Sequence, residues 1–174
     1  MARPPAHRVA GAEVFVRPAT RADVEAIHTV LDPWVESGAI LRREAAEIEA
    51  AVESFAVACE LDDDGDRREH VVACAALVVY SSRLAEIRSV ASSPDRRRRG
   101  AASAVIDYLT DWAERLEIER VFLLTKSPEF FARCGYAAVD PRALPDSFLL
   151  DHVHAQGRSA AGKRVMIRDF AAEY

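Results

Sequence analysis

The sequence has no long hydrophobic run. No stretch approaches the ~20 consecutive apolar residues that span a bilayer, and residues 1–8 lack the apolar core of a secretory signal. The three cysteines, Cys59, Cys74 and Cys134, are an odd number without metal-ligand spacing, which is typical of free thiols in a reducing compartment. We therefore expect a cytoplasmic protein that makes no membrane contact.

The sequence also lacks an excess of positive charge. It carries 23 Lys and Arg against 28 Asp and Glu, a net charge of −5, and this balance disfavours a nucleic-acid partner. His152 and His154 lie close to Asp151, but alternating histidines in a surface segment seldom bind a metal, so we expect none. With 174 residues, half of them hydrophobic, the chain suits one compact domain. We predict a mobile tail over residues 1–12, which show no periodicity, and a single domain over residues 13–174.

Hydrophobic periodicity along the chain predicts both strands and helices. The longest unbroken apolar run, residues 71–80, is rich in valine and alanine and predicts a central strand covered on both faces. Thr20 and Asp23 have capping-box spacing and predict a helix that Pro33 and Gly38 end or break. The other predicted elements are helices over residues 44–54, after residue 100 and through residue 131, and strands over residues 14–16, 55–59, 84–91, 120–124 and 164–170. This pattern indicates an α/β fold with a mixed sheet.

A turn rich in arginine joins one predicted strand to the longest predicted helix. Pro94 and Asp95 are followed by four arginines, residues 96–99, and then by four small residues, 100–103. A turn that opens directly into a helix points unpaired backbone N–H groups and the positive end of the helix dipole at one place. Because small residues also let a ligand approach the backbone, the segment predicts a polyphosphate site. The alternative is a solvated basic patch, or a weak nucleic-acid or localisation signal.

The same segment resembles that of a known family. Residues 97–102, Arg-Arg-Arg-Gly-Ala-Ala, are similar to the Gln/Arg-x-x-Gly-x-Gly/Ala motif with which the GNAT acetyltransferase superfamily binds acetyl-CoA. Over most of its length the chain also resembles the acetyltransferase domain of the N-acetylglutamate synthases. The supporting segments, in chain order, are residues 17–20, 38–43, 73–77, 86–88, 121–125, 130–136 and 144–147. The resemblance implies a single-domain GNAT-like α/β fold with a mixed, mostly antiparallel central sheet flanked by helices.

The resemblance implies acetyl-CoA as the co-substrate, held along one strand and the turn that follows it. The implied contacts are with Val90, Ala91, Arg97, Arg98, Arg99, Gly100, Ala101 and Ala102. A backbone N–H near Val90 or Ala91 is the implied donor to the oxyanion that develops on the thioester. Family members splay two strands apart at this place, so that the thioester lies between them.

The candidate general base is Glu86, a carboxylate at the start of the strand that leads into the arginine-rich turn. An amine must lose a proton before it attacks a thioester, since a pKa of about 8 or above leaves most of it charged at neutral pH. The resemblance implies the same position for the base, acting through an ordered water. The alternative is a structural carboxylate paired with Arg83 or Arg88.

The acid for the leaving thiolate is where the sequence departs from the wider family. Many members place a tyrosine in the short helix before the Gly-aromatic pair, whereas this chain has Phe131, which cannot donate a proton. Thr125 and Ser127 match a hydroxyl-bearing segment of the resembled family, although one hydroxyl position of that family falls on Leu124. Both hydroxyls are therefore candidates for the acid.

Basic side chains are the candidates for holding the substrate, because glutamate carries two carboxylates. The resemblance implies that Arg43, within the segment similar to the family's substrate loop, holds the α-carboxylate, with Arg42 as the second candidate. For the other carboxylate, the family uses an arginine just before the last strand, and either Arg158 or Lys163 fills that place here. The alternative for Arg42 and Arg43 is the solvated end of a helix.

These features predict an enzyme that acetylates the α-amine of glutamate with acetyl-CoA and without a metal, a step of arginine biosynthesis. The runner-up is a GNAT enzyme for another small amine or a protein N-terminus, and a non-catalytic acyl-CoA or amino-acid binding module is the alternative from another class. The expected partner is a small molecule, glutamate or a similar amino acid, and a homodimer stays open. The resemblance implies a short, stand-alone form without the family's arginine-binding domain.

Overall fold

The computed structural model describes residues 3–8, 14–61, 68–95, 100–140 and 162–170. Its elements are β1 (His7–Arg8), β2 (Phe15–Pro18), α1 (Val24–Glu36), α2 (Ala45–Ala50), β3 (Phe55–Leu61), β4 (Glu69–Val79), β5 (Leu84–Ser92), α3 (Ala101–Arg115), β6 (Arg120–Thr125), α4 (Pro128–Arg133), β7 (Ala137–Val139) and β8 (Arg164–Asp169). Two 3₁₀ turns, Arg21–Asp23 and Val52–Ser54, precede α1 and β3. The four arginines at 96–99, the segment 144–147, both histidines singled out above and Arg158 lie outside the described residues.

The described strands form one sheet in the order β1-β2-β3-β4-β5-β6-β8-β7. Neighbouring strands run antiparallel, except for β5 and β6, which run parallel. Parallel neighbours need a crossover connection, and here the crossover contains α3. The prediction of a single α/β domain with a mixed, mostly antiparallel sheet flanked by helices is confirmed.

β4 lies inside the sheet and is covered on both faces, as its sequence predicts. Ala73, Ala75 and Leu77 belong to the hydrophobic core that α3 covers, whereas Cys74 and Ala76 belong to a second core under α1 and α2. Successive residues of a strand point to opposite faces, so a strand buried on both sides is apolar throughout. This is the physical reason for the longest apolar run of the chain.

Two helices end elsewhere than predicted. The helix predicted over residues 44–54 ends at Ala50 and is followed by the 3₁₀ turn Val52–Ser54. α1 continues through Pro33 to Glu36 and ends before Gly38, whose φ of +70° lies in the left-handed region. A proline removes one backbone donor from a helix, but Trp34, the next residue, packs against the same core as Val30 and Leu31, and this packing holds the last turn in place. The prediction is therefore wrong for Pro33 and confirmed for Gly38.

Residues 3–8 lie against the domain, although the sequence predicts a mobile tail there. Arg3 donates to the carbonyl of Ala19 at 3.1 Å, and the Tyr108 hydroxyl donates to the carbonyl of Pro4 at 2.5 Å. β1 also pairs with β2 in an antiparallel register. Mobility over residues 1–12 stays a prediction, and it requires that these contacts break.

Candidate active site

β5 and β6 separate after only three paired residues. The parallel pairing joins residues 84–86 to residues 120–122 and ends there. Beyond that point β5 continues to pair with β4 as far as Ser92, and β6 continues to pair with β8 as far as Thr125. The sheet therefore splits between these two strands, and the split opens a cleft along their C-terminal halves.

A bulge in β5 lies beside this split. Cys74 of β4 is opposite Ala91 and Ala76 is opposite Arg88, so β5 uses one residue more than β4 over this stretch. Ser89 lies at the extra position with φ of +56°, an uncommon conformation for a residue other than glycine. A bulge leaves one residue outside the ladder of the sheet. The extra residue lies directly before Val90 and Ala91, the segment predicted to stabilise the oxyanion.

The cleft has a volume of about 340 Å³ and gathers most of the described site candidates. Those that line it are Arg43, Glu86, Val90, Ala91, Ala102, Thr125, Ser127 and Lys163. Arg42 is exposed and is absent from the described lining. Arg97, Arg98, Arg99 and Arg158 lie outside the described residues.

The start of α3 borders the cleft, and the described residues leave space beside it. Gly100 precedes the helix with φ of +74°, and a Cβ added there meets no atom of the described residues within 4 Å, chain neighbours aside. Ala101 is buried in the core, and Ala102 lines the cleft. Because the first N–H groups of a helix lack intrahelical partners, this end of α3 offers donors to an anion.

Glu86 is a buried carboxylate in the wall of the cleft, 1% exposed. Its Oε2 accepts a hydrogen bond of 2.5 Å from the hydroxyl of Tyr80, which follows β4. The Tyr80 ring stacks on Phe122, with 6.2 Å between the ring centroids. Arg83, one of the structural partners considered for Glu86, pairs instead with Glu119 at 3.5 Å.

Thr125 and Ser127, the two candidates for the acid, lie two residues apart at the end of β6. Thr125 Oγ1 accepts a hydrogen bond of 2.9 Å from the backbone N–H of Ser127. Thr125 is buried and Ser127 is exposed, yet both line the cleft. Since Thr125 uses its oxygen as the acceptor in this contact, the contact leaves its proton available to donate. Phe131 also lines the cleft and supplies an apolar wall.

Basic side chains outnumber acidic ones around the cleft. Among the described lining residues, the basic ones are Arg43, Arg88, Lys126 and Lys163, and the one acidic residue is Glu86. Lys126 Nζ also donates to the carbonyl of Gly38 at 3.5 Å, in the segment that resembles a substrate loop. An excess of positive charge in a cleft attracts anions, which suits a substrate with two carboxylates.

Trp34 ties the segment before Arg43 to β5. Its indole N–H donates to the carbonyl of Ser92 at 2.8 Å, and its own carbonyl accepts from the N–H groups of Ala39 and Ile40. The loop that leads to Arg43 is thereby held against the end of the strand that carries Glu86. Trp34 thus fixes the position of this loop relative to β5.

Sequence reasoning missed three of these residues. Tyr80 is the last residue of the predicted central strand, Trp34 follows the proline predicted to end or break the first helix, and Lys126 lies just beyond a predicted strand. The signal for Tyr80 is its place six residues before Glu86, across the turn at 81–83. For Trp34 and Lys126 the contacts span 58 and 88 residues of sequence, and no local pattern marks them.

The described residues contain neither a cluster of metal ligands nor a helix that could span a membrane. Within them, no group of three or more His, Cys, Asp or Glu side chains is placed to hold a metal, and every helix is too short or too polar to cross a bilayer. The cysteines are buried and free. Burial raises the pKa of Cys59 to about 11 and that of Cys74 to about 12, so both stay neutral thiols near pH 7.

Comparison with known sequences identifies relatives of the chain. The Acetyltransferase (GNAT) family matches residues 17–136. An amino-acid acetyltransferase of Mycobacterium tuberculosis is 37% identical over 125 residues, which cover 72% of this chain and 69% of that protein. An amino-acid acetyltransferase of Pasteurella multocida is 28% identical over 146 residues, which cover 83% of this chain and 31% of that longer protein.

Solved structures share the fold. A Mycobacterium tuberculosis protein in complex with CoA has a TM-score of 0.73 and 29% identity, covering 89% of this chain and 98% of that one. The N-acetylglutamate synthase of Neisseria gonorrhoeae, complexed with coenzyme A and N-acetyl-glutamate, has a TM-score of 0.72 and 25% identity. The match covers 90% of this chain and 35% of the Neisseria enzyme, so the chain spans about a third of that enzyme's length.

Proposed function

The chain belongs to the GNAT acetyltransferase family, whose members use acetyl-CoA, and on this basis we propose that it acetylates the α-amine of glutamate. The observation that carries the proposal is the cleft between β5 and β6. A buried carboxylate, a bulged strand and four basic side chains meet there. The names of the relatives support an amino acid as the acceptor, and the Neisseria complex supports glutamate. A cytoplasmic location and a place in arginine biosynthesis belong to the same proposal.

The described residues fit acetyl-CoA. Open space beside Gly100 and small residues in the first turn of α3 let a pyrophosphate reach the unpaired N–H groups of the helix. Arg97, Arg98 and Arg99 are proposed to add positive charge next to this position. A backbone N–H near Val90 or Ala91, beside the bulge in β5, is proposed to donate to the carbonyl oxygen of the thioester.

The chemistry requires one proton to be removed and one to be supplied. Acetyl-CoA supplies a thioester, whose carbonyl carbon bonds to the amine nitrogen while its C–S bond breaks. Glu86 receives the proton that the amine releases, directly or through a water. The hydroxyl of Thr125 or of Ser127 supplies a proton to the departing sulfur. Both steps take place in one cleft because the split of the sheet brings β5 and β6 to its two sides.

The basic residues of the cleft are proposed to select the substrate. Arg43 holds the α-carboxylate, and Lys163 or Arg158 holds the side-chain carboxylate, since a guanidinium or an ammonium is the usual partner of a carboxylate. Arg43 and Lys163 both line the cleft. A neutral amino acid makes only one of these two contacts, which is the physical basis for a preference for glutamate.

The proposal is tested by measuring thiol release from acetyl-CoA with each of the twenty amino acids, with small amines and with a peptide that has a free N-terminus. Glutamate is expected to give the highest kcat/KM. Replacing the base, Glu86→Gln, is expected to lower kcat by about 10²- to 10⁴-fold and to leave the Kd for coenzyme A unchanged in calorimetry. The matched control is Glu119→Gln, a carboxylate outside the described lining of the cleft.

Each outcome separates one part of the proposal from the others. A higher kcat/KM for another amine or for the peptide rejects glutamate as the substrate. An unchanged kcat in Glu86→Gln rejects Glu86 as the base. No heat on mixing coenzyme A with the folded protein rejects the whole assignment.

A further inference from the structure

We propose that Tyr80 is a positioning residue that holds the Glu86 carboxylate in place for proton transfer. This inference rests on the proposed function, because it requires Glu86 to be the base. The Tyr80 hydroxyl donates to Glu86 Oε2 at 2.5 Å. Tyr80 does not occur among the described residues that line the cleft, so it acts on the reaction through Glu86.

Two independent contacts fix the position of the Tyr80 hydroxyl. Its ring stacks on Phe122, at 6.2 Å between centroids and with 24° between the ring planes. Its backbone N–H donates to the carbonyl of Leu84 at 3.0 Å, across the turn that joins β4 to β5. Phe122 and Glu86 are partners in the parallel pairing of β5 and β6. The phenol is thereby anchored to both strands that border the start of the cleft.

The register of the sheet brings Tyr80 and Glu86 together. Val78 is directly opposite Glu86 in the antiparallel pairing, and Tyr80 lies two residues further along the same strand direction. Residues two apart point to the same face, and diagonal neighbours across two strands lie within reach of a long aromatic side chain. The hydrogen bond therefore follows from the hairpin, just before the sheet begins to split.

A phenol donor suits this purpose better than a cation. A glutamate side chain has several rotatable bonds, and a misplacement of about 1 Å at a reacting group costs as much as 10²-fold in rate. A neutral donor restricts the carboxylate without placing a positive charge next to the amine that must give up its proton. In the wild-type protein, Glu86 is thus held in one orientation at the wall of the cleft.

The test is a double-mutant cycle with Tyr80→Phe and Glu86→Gln in the full chain. Tyr80→Phe keeps the ring on Phe122 and removes only the hydroxyl. We expect it to lower kcat by about 10- to 100-fold, the range for loss of a hydrogen bond to a charged group, with the KM for acetyl-CoA within about twofold of wild type. In the Glu86→Gln background, the same change is expected to lower kcat by less than about twofold, because residues that act as one unit are not additive.

The matched control is Tyr108→Phe. It also removes a buried tyrosine hydroxyl that donates a hydrogen bond, in this case to the carbonyl of Pro4, and Tyr108 is not among the described residues that line the cleft. Its kcat is expected to equal that of wild type. An equal fall of kcat in both backgrounds shows a structural role for Tyr80 and overturns the inference, as does an unchanged kcat in Tyr80→Phe. If Glu86→Gln itself keeps full kcat, the base assignment fails and the inference with it. If Glu86→Gln loses kcat as expected while Tyr80→Phe keeps the kcat of wild type, the inference fails and the base assignment stands.

Discussion

Replacing Gly100 by alanine tests whether the pyrophosphate of coenzyme A lies at the start of α3. Gly100 has φ of +74°, and an added Cβ meets no atom of the described residues within 4 Å, chain neighbours aside. The ligand-free protein therefore loses folding stability only because the alanine must adopt a left-handed backbone conformation, which costs about 1–2 kcal/mol. The reduced freedom of the unfolded chain offsets about 0.4–1 kcal/mol of this cost. We expect a net loss of about 1 kcal/mol, which lowers Tm by about 2–4 °C in a chain of this size.

Gly38→Ala is the matched control for this change. Gly38 has φ of +70°, and an added Cβ there also meets no atom of the described residues within 4 Å. The backbone cost of alanine is therefore the same at both positions, and the two variants should melt at similar temperatures. They differ in location, because Gly38 lies in the loop before Arg43 and Gly100 lies at the start of α3.

Coenzyme A binding is expected to distinguish the two variants. At Gly100 the new Cβ occupies the space through which a phosphate approaches the N–H groups at the start of the helix. Loss of one hydrogen bond to a charged group costs about 1.5–3 kcal/mol, which raises Kd about 10- to 100-fold. At Gly38 the Kd for coenzyme A should stay within about twofold of wild type.

The assay is isothermal titration calorimetry of coenzyme A with wild type, Gly100→Ala and Gly38→Ala, together with thermal melts without ligand. Equal Tm values for the two variants show that the backbone cost is the same, so that any difference in Kd is due to the site. An equal Kd for coenzyme A in both variants would refute the reasoning and place the pyrophosphate away from Gly100.

Two further predictions concern the substrate and the pH dependence of stability. Arg43→Ala is expected to raise the KM for glutamate far more than the KM for acetyl-CoA, since it removes a binding contact to one substrate. The control is Arg21→Ala, which replaces an exposed arginine. An equal rise of both KM values in Arg43→Ala contradicts the assignment. Burial opposes ionisation of Asp23, but hydrogen bonds from Arg17 and Thr20 outweigh it and hold the pKa of Asp23 below its usual value. Because the folded-state pKa is depressed, the stabilisation is complete above about pH 4 and is lost as the pH falls below that value. Urea unfolding of Asp23→Asn should therefore show a shallower loss of stability at acid pH than wild type, and an identical pH dependence would contradict this role.

The split of the sheet explains how the residues proposed to react come to lie on two different strands. A continuous sheet would pair β5 with β6 along their whole lengths and satisfy their backbone groups with each other. Here the pairing stops after residues 84–86, so the backbone of both strands beyond that point borders the cleft. The same separation exposes Glu86 on one side and Thr125 on the other to a common space.

The parts of the fold that could be predicted are those that depend on patterns of neighbouring residues. The helical spacing of apolar residues after Gly100 predicts α3, and the unbroken apolar run predicts a strand covered on both faces, because each depends on burial of a single element. Thr20 and Asp23 predict a capped helix start, and the Thr20 N–H does donate to Asp23 Oδ2 at 2.7 Å. These signals lie within a few residues of each other.

The candidate site could be predicted only in part. Glu86 and Arg43 are positions to which a resemblance assigns roles, and both line the cleft. Tyr80 and Trp34 could not be assigned in this way, because their partners are chosen by strand register and by packing across 58 residues in the case of Trp34. The prediction for Pro33 failed because a proline removes one helix hydrogen bond, a loss that the packing of α1 against the core outweighs.

The sequence by itself determined the order of the elements, the small residues where α3 begins and the residue types available for chemistry. These follow from short-range periodicity and from the preferences of single residues. Only the tertiary structure decided that β5 bulges at Ser89, that β5 and β6 part after three pairs, and that a phenol holds Glu86. Strand register and separation are set by the packing of distant segments against one another, and no stretch of a few residues encodes them.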